Sequence, residues 1–257
     1  MSMHITVMDR SGEKLVELPD VDLNMTVLEF KKLFLAQCEK HKRLSPARLR
    51  FTVGNERGTP LSDSKATMHT YIENPTETLY FKDIGAQIGW RTVFYIEYAG
   101  PILFTVLLLL FREGIYGSNP ALHLNQKLGV FMVLLHYVKR ELETAFVHRF
   151  SGETMPVFNV FKNSFHYWIL MGFATMFFYL RPGYEPPSWA NDIVFYTATG
   201  LFVLFEFLNL MTHITLMNLR PPGTQERNIP HGWGFGMVSC ANYLWETCCW
   251  IVFCVQA

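Results

Sequence analysis

Hydrophobic and polar residues alternate along positions 4–8 and again along 14–18. Arg10, Ser11 and Gly12 lie between them, a pattern that predicts a β-hairpin. Thr26 and Glu29 stand in the T-x-x-E arrangement of a capping box. Val27, Phe30, Phe34 and Cys38 follow at helical spacing, predicting a helix that ends near His41. Ser45-Pro46 breaks that pattern. Positions 48–53 and 78–81 read as further strands, with a turn at Leu61-Ser-Asp63.

Beyond residue 91 the pattern changes to long apolar runs. They cover 92–111 (interrupted by Glu97), 124–137 (continuing as an amphipathic helix to about 146), 164–180, 193–219 and 234–255. A membrane span needs about 20 such residues. Charge follows the same division. Residues 1–91 hold 13 basic and 12 acidic of the 44 charged residues, leaving 19 for the remaining 166 positions. The stretches 98–111 and 193–205 carry no charge, which argues against a water-soluble bundle. The expected architecture is an α-helical polytopic membrane bundle of about five to six spans (84–257) behind an N-terminal α+β domain (1–83). The head's ββαβ order with a final strand resembles ubiquitin. Its end runs Phe81-Lys-Asp83 rather than Gly-Gly, so it reads as a docking or folding module and not as a conjugated modifier.

Orientation is legible from charge. Residues 1–9 lack the apolar core and cleavage site of a signal peptide, so the head is expected on the cytosolic side. Arg149 and Lys162, and Arg220 and Arg227, then fall in cytosolic loops, in keeping with the positive-inside rule. The Asn24-Met-Thr26 sequon would go unused there.

Several function classes are excluded by composition and motif. A net charge of zero gives no electrostatic grip on nucleic acid. Five cysteines, four of them in the last apolar run, do not make a disulfide framework. The nine histidines show no ligand spacing, so no metal is expected. There is no G-x-S-x-G elbow, and Gly232-Trp-Gly-Phe-Gly236 follows no strand and lacks the third glycine of a dinucleotide fingerprint.

What remains is a set of polar residues in apolar helices. Glu97 lies in the first run. His136, Lys139, Arg140 and Glu143 form a stripe on the second. Glu206, Asn209 and His213 share a face of the fourth, and Asn242 and Glu246 one of the fifth. Each ionisable group costs on the order of 2.5–3.5 kcal/mol at a span's centre. Polar faces on four helices therefore predict one shared polar cavity. Arg220 and Arg227, with Asn228, flank a sharp helix break at Leu219-Arg-Pro-Pro-Gly223. Such arginines suit a phosphate-bearing ligand, NADPH or coenzyme A, and equally satisfy the topology bias.

Particular strings then carry a resemblance. His136-Tyr-Val-Lys-Arg-Glu-Leu-Glu-Thr144, Phe146-Val-His-Arg-Phe150, Leu219-Arg-Pro-Pro-Gly223, Ile229-Pro230 and Val238-Ser-Cys-Ala-Asn-Tyr243 resemble the very-long-chain trans-2-enoyl-CoA reductases. These sit within the wider steroid 5α-reductase family. Asp83-Ile-Gly-Ala-Gln-Ile-Gly-Trp90 and Glu97-Tyr-Ala-Gly-Pro101 match the same subgroup. The resemblance implies NADPH-dependent reduction of a trans-2-enoyl-CoA, the last step of each fatty-acid elongation cycle. It places the protein in the endoplasmic reticulum membrane, among the other elongation enzymes.

By motif, the resemblance implies Tyr243 as the catalytic tyrosine, with Lys139, Glu97 and Gln87 as further essential positions. Asn209, Arg220 and Asn242 match cofactor-holding positions, and Tyr137 and Arg140 the H-Y-x-x-R cavity residues. Tyr243 would give a proton to C2 of the substrate, Lys139 would tune the phenol or bind the thioester carbonyl, and Glu97 would orient one of them. Family members continue past the position of Ala257 with another span and a basic tail that contributes to cofactor binding. Two other readings stand beside the reductase: a non-enzymatic membrane subunit, and, from the shared fold alone, a steroid or polyprenol reductase.

Overall fold

A computed structural model describes residues 2–74, 76–150, 154–220 and 228–257. The chain divides into two compact units, 1–88 and 89–257. The first of these runs past residue 83, where residues 84 and 85 are tied back to the head. Ile84 N–H donates to the Arg48 carbonyl at 2.9 Å, and Gly85 N–H to Asp83 Oδ1 at 2.9 Å.

In the first unit, β1 (Ser2–Met8) and β2 (Lys14–Asp22) form the hairpin, paired antiparallel with Val7 opposite Val16. Asp9 Oδ1 accepts the amides of Ser11 and Glu13, and Gly12 takes the left-handed φ of 83° that closes the turn. The capping box of α1 (Val27–Gln37) is formed in both directions: Thr26 N–H donates to Glu29 at 2.7 Å and Glu29 N–H to Thr26 at 3.2 Å. α1 stops short of His41 because Cys38 leaves the helical region. That lets the His41 ring fold onto Phe34 and Phe81. β3 (Leu49–Val53) and β4 (Thr76–Asp83) complete a sheet of order β2-β1-β4-β3, with β1 and β4 parallel. Alternate residues Ile5, Val7, Phe51, Leu79 and Phe81 point to one face, against Phe30 and Phe34 of α1. Each such side chain contributes about 1.5–3 kcal/mol by burial.

Arg48 grips Asp83 with two parallel bonds, at 3.0 and 2.5 Å. The guanidinium holds the Asp83 carboxyl below its ordinary value. A depressed carboxyl stabilises the fold fully above its unfolded pKa, and that contribution is lost as pH falls through the lower folded value. Hydrogen-exchange protection of the β3–β4 amides should therefore hold steady from neutrality and decline below about pH 4. Arg48→Met should flatten that decline. The pair is partly exposed, so the effect is modest.

The second unit is helical: α2 (Trp90–Leu110), α3 (Arg112–Tyr116), α4 (Leu124–Phe146), α5 (Phe158–Ser164), a π-helical stretch Phe165–Thr175, α6 (Met176–Tyr179), α7 (Asp192–Asn218) and α8 (Ala241–Gln256). α2 and α7 are long and apolar enough to cross a membrane. The last apolar run becomes helical only at Ala241, not at 234. Gly232, Trp233 and Gly234 all take positive φ there, and a helix cannot run through that geometry. The polarity of α4 is inverted relative to a soluble helix. Phe131, Val138, Leu142 and Phe146 are exposed, while His136, Arg140 and Glu143 are buried. Only an apolar surrounding rewards that arrangement.

Close helix contacts set the frame. At Gly100 of α2 an added methyl would overlap the Trp168 indole, whose Nε1–H donates to the Ile96 carbonyl at 2.7 Å. At Gly129 of α4 it would overlap the Tyr179 ring. Gly100→Ala should lower the stability of detergent-solubilised protein by about 1–3 kcal/mol, read by thermal unfolding. Gly200→Ala on α7, with nothing within 4 Å, should lose nothing. One end of the bundle is locked by buried amides and an arginine. Tyr179 Oη donates to the Asn125 carbonyl, Gln126 to that of Tyr179 and Gln256 to that of Asn125, while Arg112 donates to the Leu180 and Pro120 carbonyls.

Candidate active site

The other polar cluster is built from charged and titratable side chains. On α4, positions 136, 139, 140 and 143 fall within two turns, so their side chains emerge together. α7 presents Glu206, Asn209 and His213 at the matching helical period. Lys139 Nζ lies 2.6 Å from Glu206 Oε2, donates to Asn209 Oδ1 at 2.6 Å, and stands 3.5 Å from Glu143 Oε1. His136 Nδ1 is 2.6 Å from Glu206 Oε1, and its Nε2 is 3.9 Å from Glu246 Oε1 on α8. Arg140 donates to Glu143 Oε2 at 2.8 Å and to Tyr98 Oη of α2 at 2.7 Å. His213 Nδ1 meets Glu143 Oε1 at 3.1 Å. Asn209 donates to the Asn242 carbonyl at 2.8 Å, tying Lys139 to the first turn of α8. Every one of these carboxylates faces a cation or a histidine, which is what makes their burial tolerable.

Two cavities flank the cluster. One, of about 480 Å³, is lined by Tyr137, Tyr167, His166, Trp250, Glu246 and Tyr243 among others. Aromatic rings with a few polar groups suit an extended apolar substrate. The other, of about 310 Å³, is lined by His148, Arg149, His213, Arg220 and Asn228 among others. Arg149 and Arg220 each donate to the other's backbone carbonyl. His148 Nδ1 is buried and has no hydrogen-bond partner among the described residues. Glu143, His148 and His213 bring ligand-type atoms within 4.8 Å of one another. The Arg140 guanidinium, 2.8 Å from that carboxylate and 3.3 Å from the His213 ring, already supplies the cation there.

The residues expected at a site are thus distributed unevenly. Lys139, Arg140 and Asn209 are in the charged cluster. Tyr137, 3% exposed, and Tyr243, 66% exposed, line the same cavity, Tyr243 at its rim on the first turn of α8. Asn242 takes part through its backbone carbonyl. Arg220 is at the cationic cavity. Glu97 is buried but stands outside the charged cluster: it bonds to Asn163, and its Oε1 lacks a hydrogen-bond partner among the described residues. Gln87 belongs to the first unit, where its amide donates to the Ile84 and Gly85 carbonyls. Arg227 and the helix break at Pro221-Pro-Gly223 lie outside the described residues.

Tyr98, His148, Tyr167 and Trp250 were not expected. Trp250 is four residues from Glu246 and seven from Tyr243, so helical spacing alone could have placed it on that face. Tyr167 lies in the π-helical stretch, where the 3.6-residue rule misplaces side chains.

Comparison with known proteins gives the class of such a bundle. Residues 153–257 match the family described as 3-oxo-5-alpha-steroid 4-dehydrogenase. The chain is 42% identical over 215 residues to a Schizosaccharomyces pombe protein described as an enoyl reductase, covering 82% of this chain and 70% of that one. It is 36% identical to a Caenorhabditis elegans protein described as a very-long-chain enoyl-CoA reductase, covering 96% and 81%. It is also 36% identical to the very-long-chain enoyl-CoA reductase of Dictyostelium discoideum, covering 98% and 83%. The chain therefore belongs to the very-long-chain enoyl-CoA reductases of the steroid 5α-reductase family.

Proposed function

We propose that this protein reduces the 2,3-double bond of a very-long-chain trans-2-enoyl-CoA with NADPH. It would act as the last enzyme of the elongation cycle, in the endoplasmic reticulum membrane beside the other elongation enzymes. The observation that carries this reading is the buried charged cluster joining an arginine-lined cavity to an aromatic cavity with Tyr243 at its rim. The helical unit crosses the bilayer about five times, and the head, with the β-grasp order of ubiquitin, lies on the cytosolic side.

The donor set fits a dinucleotide phosphate. Arg149 and Arg220 flank one cavity, and the unsatisfied His148 Nδ1 and Asn228 line it. These residues, with Asn209 and Arg140 behind them, would hold NADPH, which supplies the hydride when bound. The rings of Tyr137, Tyr167 and Trp250 exclude water from the acyl chain. Tyr243 holds the proton destined for C2 of the substrate. Lys139, linked through Asn209 to the first turn of α8, supplies the positive field that favours the phenolate Tyr243 leaves behind. Glu97, bonded to Asn163, would orient Tyr243 or Lys139 from outside the cluster.

The test supplies membranes bearing this chain with a very-long-chain trans-2-enoyl-CoA and NADPH. Loss of nicotinamide absorbance should match the saturated acyl-CoA found by mass spectrometry. Membranes that consume neither would overturn the reading.

A further inference from the structure

A further cavity, of about 590 Å³, is lined by His123, Leu124, Asn125, Asn191, Asp192 and Ile193 among others. It lies where α4 and α7 begin, and the arginine-lined cavity lies where they end. At 1.5 Å per residue along α4, the two are on the order of 30 Å apart. The reductase reading makes no use of it.

Its free polar atoms are acceptors. Asn125 is 0% exposed. Its Nδ2 donates to Tyr184 Oη at 3.0 Å, and its carbonyl accepts from Tyr179 and Gln256. Its Oδ1 has no hydrogen-bond partner among the described residues. A buried acceptor without a donor is costly, so this atom marks a place for a ligand's N–H or O–H. Asn191 Oδ1 is spent on capping α7, accepting the amides of Ile193 and Val194 at 3.1 Å each. Asp192 is exposed and has no ion-pair partner among the described residues. No lysine or arginine lines the cavity among those residues. The complement to Asp192 and Asn125 Oδ1 is a cation that carries N–H donors. The volume is that of a site for an organic group rather than for a bare metal ion.

Two more observations narrow the class. Two long helices start at this cavity, and helix starts favour a negative group. Ile193, 76% exposed, borders it on a helix long and apolar enough to cross a membrane. A ligand with an ammonium, a phosphate and acyl chains meets all three demands. We propose that this cavity binds the headgroup of an ethanolamine phospholipid. Its ammonium meets Asp192 and Asn125 Oδ1, and its phosphate turns toward the starts of α4 and α7. A choline headgroup carries the same charges but no N–H for Asn125, so the site tells the two apart. The binding is non-covalent and does not depend on the reductase reading.

Native mass spectrometry of the full chain in detergent tests this, with ethanolamine and choline phospholipids of identical acyl chains at equal concentration. The wild type should retain the ethanolamine lipid about tenfold over the choline lipid, the worth of a hydrogen bond to a charged group. Asp192→Asn should bring that ratio near one. Because Asp192 is exposed, the variant's unfolding temperature without lipid should stay close to that of the wild type. Equal retention of the two lipids by the wild type would overturn the proposal. Should Asp192→Asn fail to fold, lipids with N-methyl and N,N-dimethyl headgroups decide on the wild type. Retention that falls along the series supports the site, and retention that stays level overturns it. Free phosphoethanolamine separates the membrane from solution as the source. It should displace the lipid only in large excess, and displacement at equal concentration would overturn the lipid assignment.

Discussion

Tyr243→Phe should lower the turnover of enoyl-CoA by about 10²- to 10⁴-fold, the usual contribution of a positioned proton donor. Tyr243 is largely exposed on the first turn of α8, so losing one oxygen creates no cavity and strands no buried partner. The variant should fold and bind NADPH as the wild type does. Quenching of tryptophan fluorescence on titration with the cofactor would check binding, since Trp245, two residues after Tyr243 on α8, donates to the Trp233 carbonyl at 2.7 Å. Product formation followed by mass spectrometry would check chemistry. Retained turnover would remove Tyr243 from the mechanism and pass the proton to Tyr137, which is buried in the wall of the same cavity.

The second large effect is on stability. Lys139 is the cation nearest to Glu206 and also faces Glu143, and both carboxylates are buried. Lys139→Met leaves them short of one positive charge, and breaking a buried pair from one side costs about 3–5 kcal/mol. Glu206→Gln alone should also destabilise, because it takes from Lys139 its nearest carboxylate and weakens the hold on His136. The double variant should recover most of the loss, since the apolar stem and the amide together restore neutrality. Unfolding in mixed detergent micelles, read as a double-mutant cycle, would show a favourable coupling between the two sites. Additive losses would mean that the 2.6 Å contact carries no net energy. The double variant should stay inactive even where its stability returns, because the cation linked through Asn209 to the first turn of α8 is gone.

The helical cluster was readable from the chain in outline. Placing Glu206, Asn209 and His213 three and four residues apart puts them on one face of α7 wherever that helix sits, and the stripe from His136 to Glu143 does the same on α4. Charged side chains in apolar helices have one affordable direction, inward, so their convergence follows from solvation alone. The capping box of α1 and the hairpin are equally local, decided by residues within four positions of one another. Glu97 shows the limit. Its type and depth in the span put it with the other polar residues, yet it bonds to Asn163 on α5 and stays out of the charged cluster. Gln87 sits in a string read as part of the same site, and its amide is bound to the chain just before it in the head.

The sequence by itself thus determined that a charged, alternating head precedes an apolar helical part, and which helix faces are polar. Those properties depend on the 2.0- and 3.6-residue periods and on the cost of burying charge, and neither needs a partner. Tertiary structure alone decided which atoms pair across helices, that Arg149 joins Arg220 at one cavity, and that Tyr137 and Tyr243 share the other. Periodicity gives a residue's angle about its helix but not the axial offset between helices. That offset is set by contacts such as Trp168 over Gly100 and Tyr179 over Gly129, between residues far apart in the chain.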